Sequence, residues 1–292
     1  MASRSAALIQ RTSQGVYFRY PYSGCYGEVL SMRKGVGVMN RPVVTQPMIE
    51  ACLHSMGLGR GDAVEVHSSL SAFGWVEGGA ATVVDALMHV VGPEGALIMS
   101  AYRVSDAIPL TPDEQARGIT WKVKVLPEDS SEPIGLGAVV AEFLRRPGVV
   151  CGSGILRVCA WGHDAQRHCQ GYEYLIDIGG WTLLLGVAIG TCSSLHVAED
   201  VRLPEAIRAY FQVPEEIRRD YDPQEWSIGY GGTPESSWDK VWAEADRCRW
   251  IEHQHIGAAL CHLFKTRAVV NLMRDWRRND PFWLFGVAKD RT

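Results

Sequence analysis

The chain has 292 residues, of which 47% are hydrophobic and 21% are charged, and its formal net charge at pH 7 is -4. This length supplies a sizeable apolar core, in one large or two small domains. The mildly acidic balance argues against a nucleic-acid binder dominated by phosphate contacts. The sequence has no run of about 18 apolar residues, so it predicts no membrane span.

The first 40 residues are poorly patterned, with several arginines and a cluster of tyrosines. We expect residues 1–40 to form an N-terminal extension that is loose or lies across the body of the protein. A single domain is expected over residues 41–292, and it opens with a helix over residues 44–56. Thr45 is the expected N-cap of this helix and Gly57 its end.

A strand–loop–helix–strand unit follows this first helix. The apolar run at residues 64–66 predicts a buried strand. Apolar residues recur at helical spacing over residues 82–90, and residues 96–99 predict the next strand. This order is typical of neighbouring parallel strands joined by a crossover helix.

The loop inside this unit is the first candidate site. Backbone N–H groups at a helix start favour anions such as a pyrophosphate, and Gly78 and Gly79 let a ligand approach the backbone closely. The loop is neither a Walker motif nor G-x-G-x-x-G. Spacing alone therefore favours an ordinary strand-to-helix turn.

Several short motifs stand in a recognisable order along the chain. They are His67-Ser68-Ser69-Leu70, Val76-Glu77-Gly78-Gly79-Ala80, Thr82-Val83, Asp85-Ala86-Leu87, Gly92-Pro93-Glu94-Gly95 and Leu195-His196-Val197-Ala198-Glu199. Together they resemble the signature of the aminoglycoside 3-N-acetyltransferases. The resemblance runs from residue 43 to the C-terminus and is strongest over residues 60–102 and 183–199.

Residues 103–132 contain three prolines and little periodicity, which predicts a long irregular loop. The family resemblance implies that this region helps to form the acceptor site. A helix is then predicted to open at Gly135-Leu136-Gly137, and further along we expect a buried helix over residues 256–264 and a last element over residues 269–276.

The second candidate site follows the apolar run at residues 182–187, which predicts another buried strand. Sites in open α/β sheets lie beyond the carboxyl ends of strands, so the two loops would meet if their strands are parallel neighbours. His196 and Glu199 are three residues apart and share a helical face. Spacing alone fits a structural histidine whose hydrogen bonds are satisfied at a helix start. The resemblance to the family's Leu-His-x-Ala-Glu implies instead that His196 is a general base oriented by Glu199.

The resemblance implies an acetyl-CoA-dependent N-acetyltransferase that acts on an amine of an aminoglycoside or another natural product. The implied fold is α/β, with a mixed, largely parallel central sheet flanked by helices and a mostly helical C-terminal part. Backbone N–H groups near Ser68 and Ser69 could stabilise the oxyanion. The expected cofactor-binding residues are His67, Ser68, Ser69, Leu70, Ser71, Phe73, Gly78, Gly79, Gly135 and Gly137. We expect no metal, nucleic-acid or membrane partner, and a homodimer stays open.

Two departures from the family pattern fall on the acceptor side. The family carries His-Pro where this chain has Ser153-Gly154, and Asp-x-Asn-Thr-Ser where it has Gly190-Thr191-Cys192-Ser193-Ser194. Both departures favour a different acceptor or a different way of holding it. A protein that kept the fold and lost the activity would show the same departures.

A covalent mechanism is the other alternative, with Cys192, Ser68 or Ser69 as the nucleophile of an acyl-enzyme transferase or amidase. No G-x-S-x-G elbow supports it.

The eight cysteines are scattered and include no C-x-x-C pair, so we expect no disulfide framework and a reducing, cytoplasmic setting. Four residues could be read as soft metal ligands: Cys159, His163, His168 and Cys169. Their spacing is not that of a structural zinc site.

Overall fold

The computed structural model describes residues 43–289; the predicted N-terminal extension, residues 1–40, lies outside them. The strands are β1 Val43–Val44, β2 Ala63–Ser68, β3 Trp75–Val76, β4 Ala96–Ser100, β5 Ile119–Lys124, β6 Val150–Cys151, β7 Val158–Gly162, β8 Trp181–Leu185, β9 Trp226–Tyr230, β10 Ile251–Ile256 and β11 Ala259–Lys265. The α-helices are α1 Gln46–Ser55, α2 Ala80–Val91, α3 Pro112–Ala116, α4 Ala138–Phe143, α5 Ala165–His168, α6 Glu173–Asp177, α7 Glu205–Arg208, α8 Glu215–Asp220, α9 Ser237–Arg247, α10 Thr266–Asn279 and α11 Pro281–Phe285. The 3₁₀ helices span Leu70–Phe73, Ile189–Thr191, Ser193–Asp200 and Ala209–Phe211. Within residues 43–289 no helix is both long and apolar enough to cross a bilayer.

A seven-stranded sheet lies at the centre, in the order β10-β11-β8-β2-β4-β7-β6. Strand β2 is parallel to both β4 and β8, whereas the other four pairings are antiparallel. The mixed α/β class is confirmed, but the expected largely parallel arrangement holds only for the three central strands. The outer strands return by tight connections such as the two-residue turn between β10 and β11, which antiparallel pairs allow and parallel pairs do not.

The predicted strand–loop–helix–strand unit is confirmed as β2, α2 and β4. Gly79 and Gly92 flank α2, and both have a φ of 65°, a left-handed conformation that glycine adopts without a steric penalty. The apolar face of α2 is buried against the sheet and against α1. The predicted first helix is also confirmed, with Thr45 at its N-cap.

The C-terminal part packs on the opposite face of the sheet. Helices α9, α10 and α11 bury their apolar residues there against Leu184 and Phe264, which supports the expected helical character. The predicted buried helix at residues 256–264 is wrong, because this stretch forms the turn and second strand of the β10–β11 hairpin. Gly257 has a φ of 60° at the turn, and a Cβ there would lie 2.5 Å from the carbonyl oxygen of Phe73.

Residues 103–132 are more regular than expected, because they contain α3 and β5. Strand β5 pairs antiparallel with β9 in a separate two-stranded sheet. Glu114 at the start of α3 forms an ion pair with Lys122 of β5 and accepts a hydrogen bond from the hydroxyl of Tyr221. These contacts hold the segment in place against the body.

Cys151 and Cys159 form a disulfide, a single bond that the expectation of no disulfide framework did not include. The two residues are register partners in the antiparallel β6–β7 pair, with Cα atoms 4.1 Å apart. The free cysteines among the described residues are Cys52, Cys169, Cys192, Cys248 and Cys261.

Candidate active site

The two predicted loops meet beyond the carboxyl ends of β2 and β8. The N–H of Ser69 donates to the carbonyl of Leu185 over 2.9 Å, and the N of Ser193 lies 3.2 Å from Nε2 of His67. This meeting follows from the parallel β2–β8 pairing, because parallel strands end at the same edge of a sheet. Because the Ser69 N–H already donates to the Leu185 carbonyl, it is not available as the oxyanion donor predicted from the sequence.

His196 and Glu199 lie on the 3₁₀ helix Ser193–Asp200 and contact each other. Nδ1 of His196 is 2.9 Å from Oε1 of Glu199, and the edge of the imidazole packs against Trp238 at a centroid distance of 4.9 Å. Desolvation works to raise the pKa of Glu199, but the charge of His196 and its hydrogen bond outweigh this effect and lower the pKa. The carboxylate therefore stays ionised and can balance an imidazolium.

A second imidazole–carboxylate contact lies deeper at the same edge. Glu65 is fully buried, and its Oε1 is 2.7 Å from Nε2 of His67. The carboxylate also accepts hydrogen bonds from the Ser194 N–H at 2.9 Å and the Thr182 hydroxyl at 3.0 Å. Burial works to raise the pKa of Glu65, but the charge and hydrogen bond of His67 and the bonds from Ser194 outweigh it and lower the pKa.

Glu65 is not among the predicted site residues, although one signal for it was present in the sequence. A charged residue interrupts the apolar run of β2 and stands two positions before His67. Residues two apart on a strand point to the same face, so the pair was predictable from the sequence.

Buried hydroxyl groups extend this polar cluster towards β4. The Ser193 hydroxyl accepts from Ser100 and from Tyr102, each at 2.8 Å, and Ser100 also contacts the hydroxyl of Tyr172 at 2.5 Å. Burial raises the pKa of Tyr102 to about 12, so its hydroxyl is a proton donor at neutral pH. These residues come from distant segments and had no shared signal in the sequence.

The glycine turn before α2 is open on its outer side. Gly78 and Gly79 have φ values of 76° and 65°, and a Cβ added to Gly79 would meet no atom within 4 Å. No acidic residue lies in the first turn of α2, and no side chain caps it. This helix start therefore offers backbone N–H groups to an anion.

Two of the other predicted cofactor residues have structural roles. Phe73 is 1% exposed and belongs to the core, so a contact between its ring and a cofactor finds no support. A Cβ on Gly135 would lie 2.2 Å from the carbonyl oxygen of Ser105, so glycine is required there by close backbone packing. The Ser69 and Ser71 hydroxyls lie 3.1 Å apart and are partly accessible.

Gly137 opens α4 with a φ of 88°. Arg146, just beyond the end of α4, donates to the carbonyl of Ala81 at 3.1 Å and pairs with Asp85 at 3.0 Å. The end of α4, not its start, therefore lies beside the start of α2. These contacts therefore do not place Gly137 beside Gly78 and Gly79.

The geometry argues against a covalent nucleophile. Cys192 is fully buried, and this burial raises the pKa of its thiol well above the ordinary value. In the described residues, Nε2 of His67 lies near Glu65 and the Ser193 N rather than a serine hydroxyl, so His67 does not make the nucleophile–base contact that such a mechanism requires.

The four residues considered as metal ligands do not form a site. Cys159 is in the disulfide, and His168 is buried against the ring of Tyr174 at a centroid distance of 4.7 Å. In the described part of the chain, no three His, Cys, Asp or Glu side chains are grouped so as to hold a metal ion.

A cavity of about 340 Å³ borders the connection that carries His196. It is lined by Ala188, Ile189, Asp239, Trp242, His253, Leu260 and His262. Burial lowers the pKa of His262 to about 4, so this imidazole is neutral at pH 7, and Asp239 is the carboxylate of the lining. An aromatic ring beside a carboxylate suits an organic cation.

The chain is similar to the proteins of one known family. A family model described as aminoglycoside 3-N-acetyltransferase matches residues 66–278. The chain is similar to the SPbeta prophage-derived aminoglycoside N(3')-acetyltransferase-like protein YokD of Bacillus subtilis (strain 168), with 26% identity over 270 residues, 81% of this chain and 93% of that protein. It is 31% identical over 178 residues to aminoglycoside N(3)-acetyltransferase III of Salmonella sp, a match to 54% of this chain and 60% of that enzyme. A solved structure described as AAC-IIIb binary with CoASH shares the fold, with a TM-score of 0.60, 23% identity and coverage of 85% of this chain and all (100%) of that one.

Proposed function

Because the chain belongs to the aminoglycoside 3-N-acetyltransferase family, we propose that it transfers an acetyl group from acetyl-CoA directly to an amine. The observation that carries this proposal is the 2.9 Å contact between His196 and Glu199. These residues follow β8, on the connection that meets the end of β2 at His67–Ser69. A structure described as a binary complex with CoASH shares the fold, which supports acetyl-CoA as the donor.

His196 is the proposed general base. An ammonium group has no lone pair, so a base must take its proton before or during attack on the thioester carbon. Nδ1 of His196 faces Glu199, and we assign the proton exchange with the amine to Nε2. The ionised Glu199 orients the ring and balances the imidazolium, and general-base catalysis of this kind contributes about 10²–10⁴-fold.

The donor is proposed to lie along the turn that joins β2 to α2. The open side of Gly79 and the uncapped start of α2 suit the pyrophosphate of acetyl-CoA, because a helix start attracts anions. The thioester would then reach Ser68 and Ser69, beside Ser193 and the connection to His196.

The acceptor is proposed to enter through the cavity beside α9. Trp238 and Trp242 lie one turn apart on this helix; the first contacts His196 and the second lines the cavity. The carboxylate of Asp239 is placed to attract the ammonium groups of an aminoglycoside. A smaller amine is the second candidate, because Gly190-Thr191-Cys192-Ser193-Ser194 replaces the family's polar lead into the histidine.

The test is release of free CoA thiol from acetyl-CoA across a panel of aminoglycosides and smaller diamines, with mass spectrometry of each product. We expect an increase of one acetyl group on an amine of at least one acceptor. If no amine is acetylated although the protein is folded and binds CoA, the protein is a CoA-binding protein without transferase activity. A stable acetyl group on the protein itself would favour covalent catalysis.

A further inference from the structure

We propose that His67 is the general acid that protonates the departing CoA thiolate, and that Glu65 is the residue that positions it. This inference rests on the proposed acetyl transfer and adds a second acid–base group to it. It separates the two proton transfers of the reaction between two imidazole–carboxylate pairs, His196 with Glu199 and His67 with Glu65.

The ring nitrogens of His67 have different surroundings. Nε2 lies 2.7 Å from Glu65 and 3.2 Å from the Ser193 N, and one nitrogen cannot both donate to the first and accept from the second. The shorter contact is charge-assisted and stronger, so Nε2 carries a hydrogen that it donates to Glu65. Nδ1 has no hydrogen-bond partner within residues 43–289 and is the nitrogen left for a substrate.

The position of His67 matches the place where the thiolate forms. The residue precedes Ser68 and Ser69, the turn along which we place the thioester, and it contacts Ser193, three residues before His196. Its side chain is 10% exposed, so it is largely shielded from bulk water and still partly accessible. A base and an acid are thereby held at the same edge of the sheet.

The burial of Glu65 is the strongest argument for a charged partner. An ionised carboxylate without a partner is costly in a protein interior, and Glu65 is fully buried in the central strand of the sheet. Three donors surround it, from His67, Thr182 and Ser194. Of these three, only His67 can carry a positive charge, so the site is built to hold an imidazolium.

The proposed step balances as follows. The ammonium first gives one proton to water. The neutral amine nitrogen then bonds to the thioester carbon, and His196 takes the second proton that this nitrogen loses. The carbon–sulfur bond then breaks, its electron pair goes to sulfur, and the proton on Nδ1 of His67 is transferred to that sulfur. The products are the amide and the CoA thiol; neutral His67 takes up a proton from water, and His196 returns one to it.

Two small donors test this assignment: S-acetyl-N-acetylcysteamine, which releases an aliphatic thiolate, and S-phenyl thioacetate, which releases an aromatic thiolate that leaves without help. We expect His67→Gln to lower kcat/KM about 100-fold with the aliphatic donor and less than about fivefold with the aromatic donor, because only the poor leaving group needs the acid. Glu65→Gln should show the same selective loss, smaller in size. The ratio of the two kcat/KM values is independent of the folded fraction, so a destabilised variant still gives an answer.

His196→Ala is the matched control, because loss of the base impairs attack and must slow both donors. Equal losses with both donors in His67→Gln would overturn the assignment and leave His67 a structural residue of the turn. No transfer by the wild-type protein from acetyl-CoA or from either donor would instead reject the proposed function. The two failures are therefore distinguishable in one set of assays.

Discussion

Nδ1 of His196 lies 2.9 Å from Oε1 of Glu199, one turn along the same 3₁₀ helix. The contact fixes the orientation of the imidazole ring, which is a feature of histidines that act as general bases. Because this helix starts beside His67, the base is held close to the turn proposed for the donor.

Replacement of His196 by alanine is expected to lower kcat for acetyl transfer by about 10²–10⁴-fold, the contribution of a general base. The dissociation constant for CoA should stay within about twofold, because the side chain does not hold the cofactor. Stopped assays of CoA thiol and isothermal titration calorimetry measure the two quantities. His163→Ala, at an exposed histidine, is the control, and loss of CoA binding in folded His196→Ala would contradict the assignment.

Gly79→Ala is expected to weaken CoA binding about tenfold, because a left-handed residue other than glycine costs about 1–2 kcal/mol and shifts the start of α2. The matched control is Gly74→Ala. Gly74 has a φ of 87° and open space around a Cβ, so it pays a similar backbone cost at the other end of the loop. Equal CoA affinities of the two variants by calorimetry would argue against the glycine turn as the pyrophosphate site.

Asp239→Asn is expected to raise KM for the amine about tenfold while kcat changes little, because a charge-assisted contact worth about 1.4 kcal/mol is lost. Initial rates at saturating acetyl-CoA measure both constants. Glu244→Gln, on the same helix but paired with Arg247, should leave KM unchanged. A KM of Asp239→Asn equal to that of the wild type would place the acceptor elsewhere.

Glu114→Gln is expected to change how stability depends on pH. Hydrogen bonds from Lys122 and Tyr221 lower the pKa of Glu114 to about 2, compared with 4.5 in an unfolded chain. The pairing therefore stabilises the native state above pH 4.5, and this contribution is lost as the pH falls from about 4.5 towards about 2. Urea unfolding across this range should show a steeper loss in the wild type than in Glu114→Gln; parallel curves would contradict the role of this carboxylate.

The sequence was most informative where one local pattern decides the structure. The β2–α2–β4 unit was predicted because a buried strand, a glycine turn and a helical repeat follow one another within about 40 residues, the size of a crossover unit. The β10–β11 hairpin was missed, because a short apolar run does not distinguish a strand from a buried helix. Its turn is set by Gly257 against Phe73, a contact between residues far apart in the chain.

The candidate site shows the same division. His196 and Glu199 are close in sequence, and their contact could be predicted from helical spacing. The Cys151–Cys159 bond and the contacts of Glu65 with Thr182 and Ser194 could not be predicted, because they depend on which segments become neighbours. The roles of the site residues in catalysis stay predictions until the variants are assayed.

The buried carboxylate of Glu65 has a mechanical consequence. It forms hydrogen bonds with His67, near the end of its own strand, and with Ser194, at the beginning of the distant 3₁₀ helix. The end of β2 and the start of the 3₁₀ helix that carries His196 are therefore tied to one buried group, and we expect these two segments to move together.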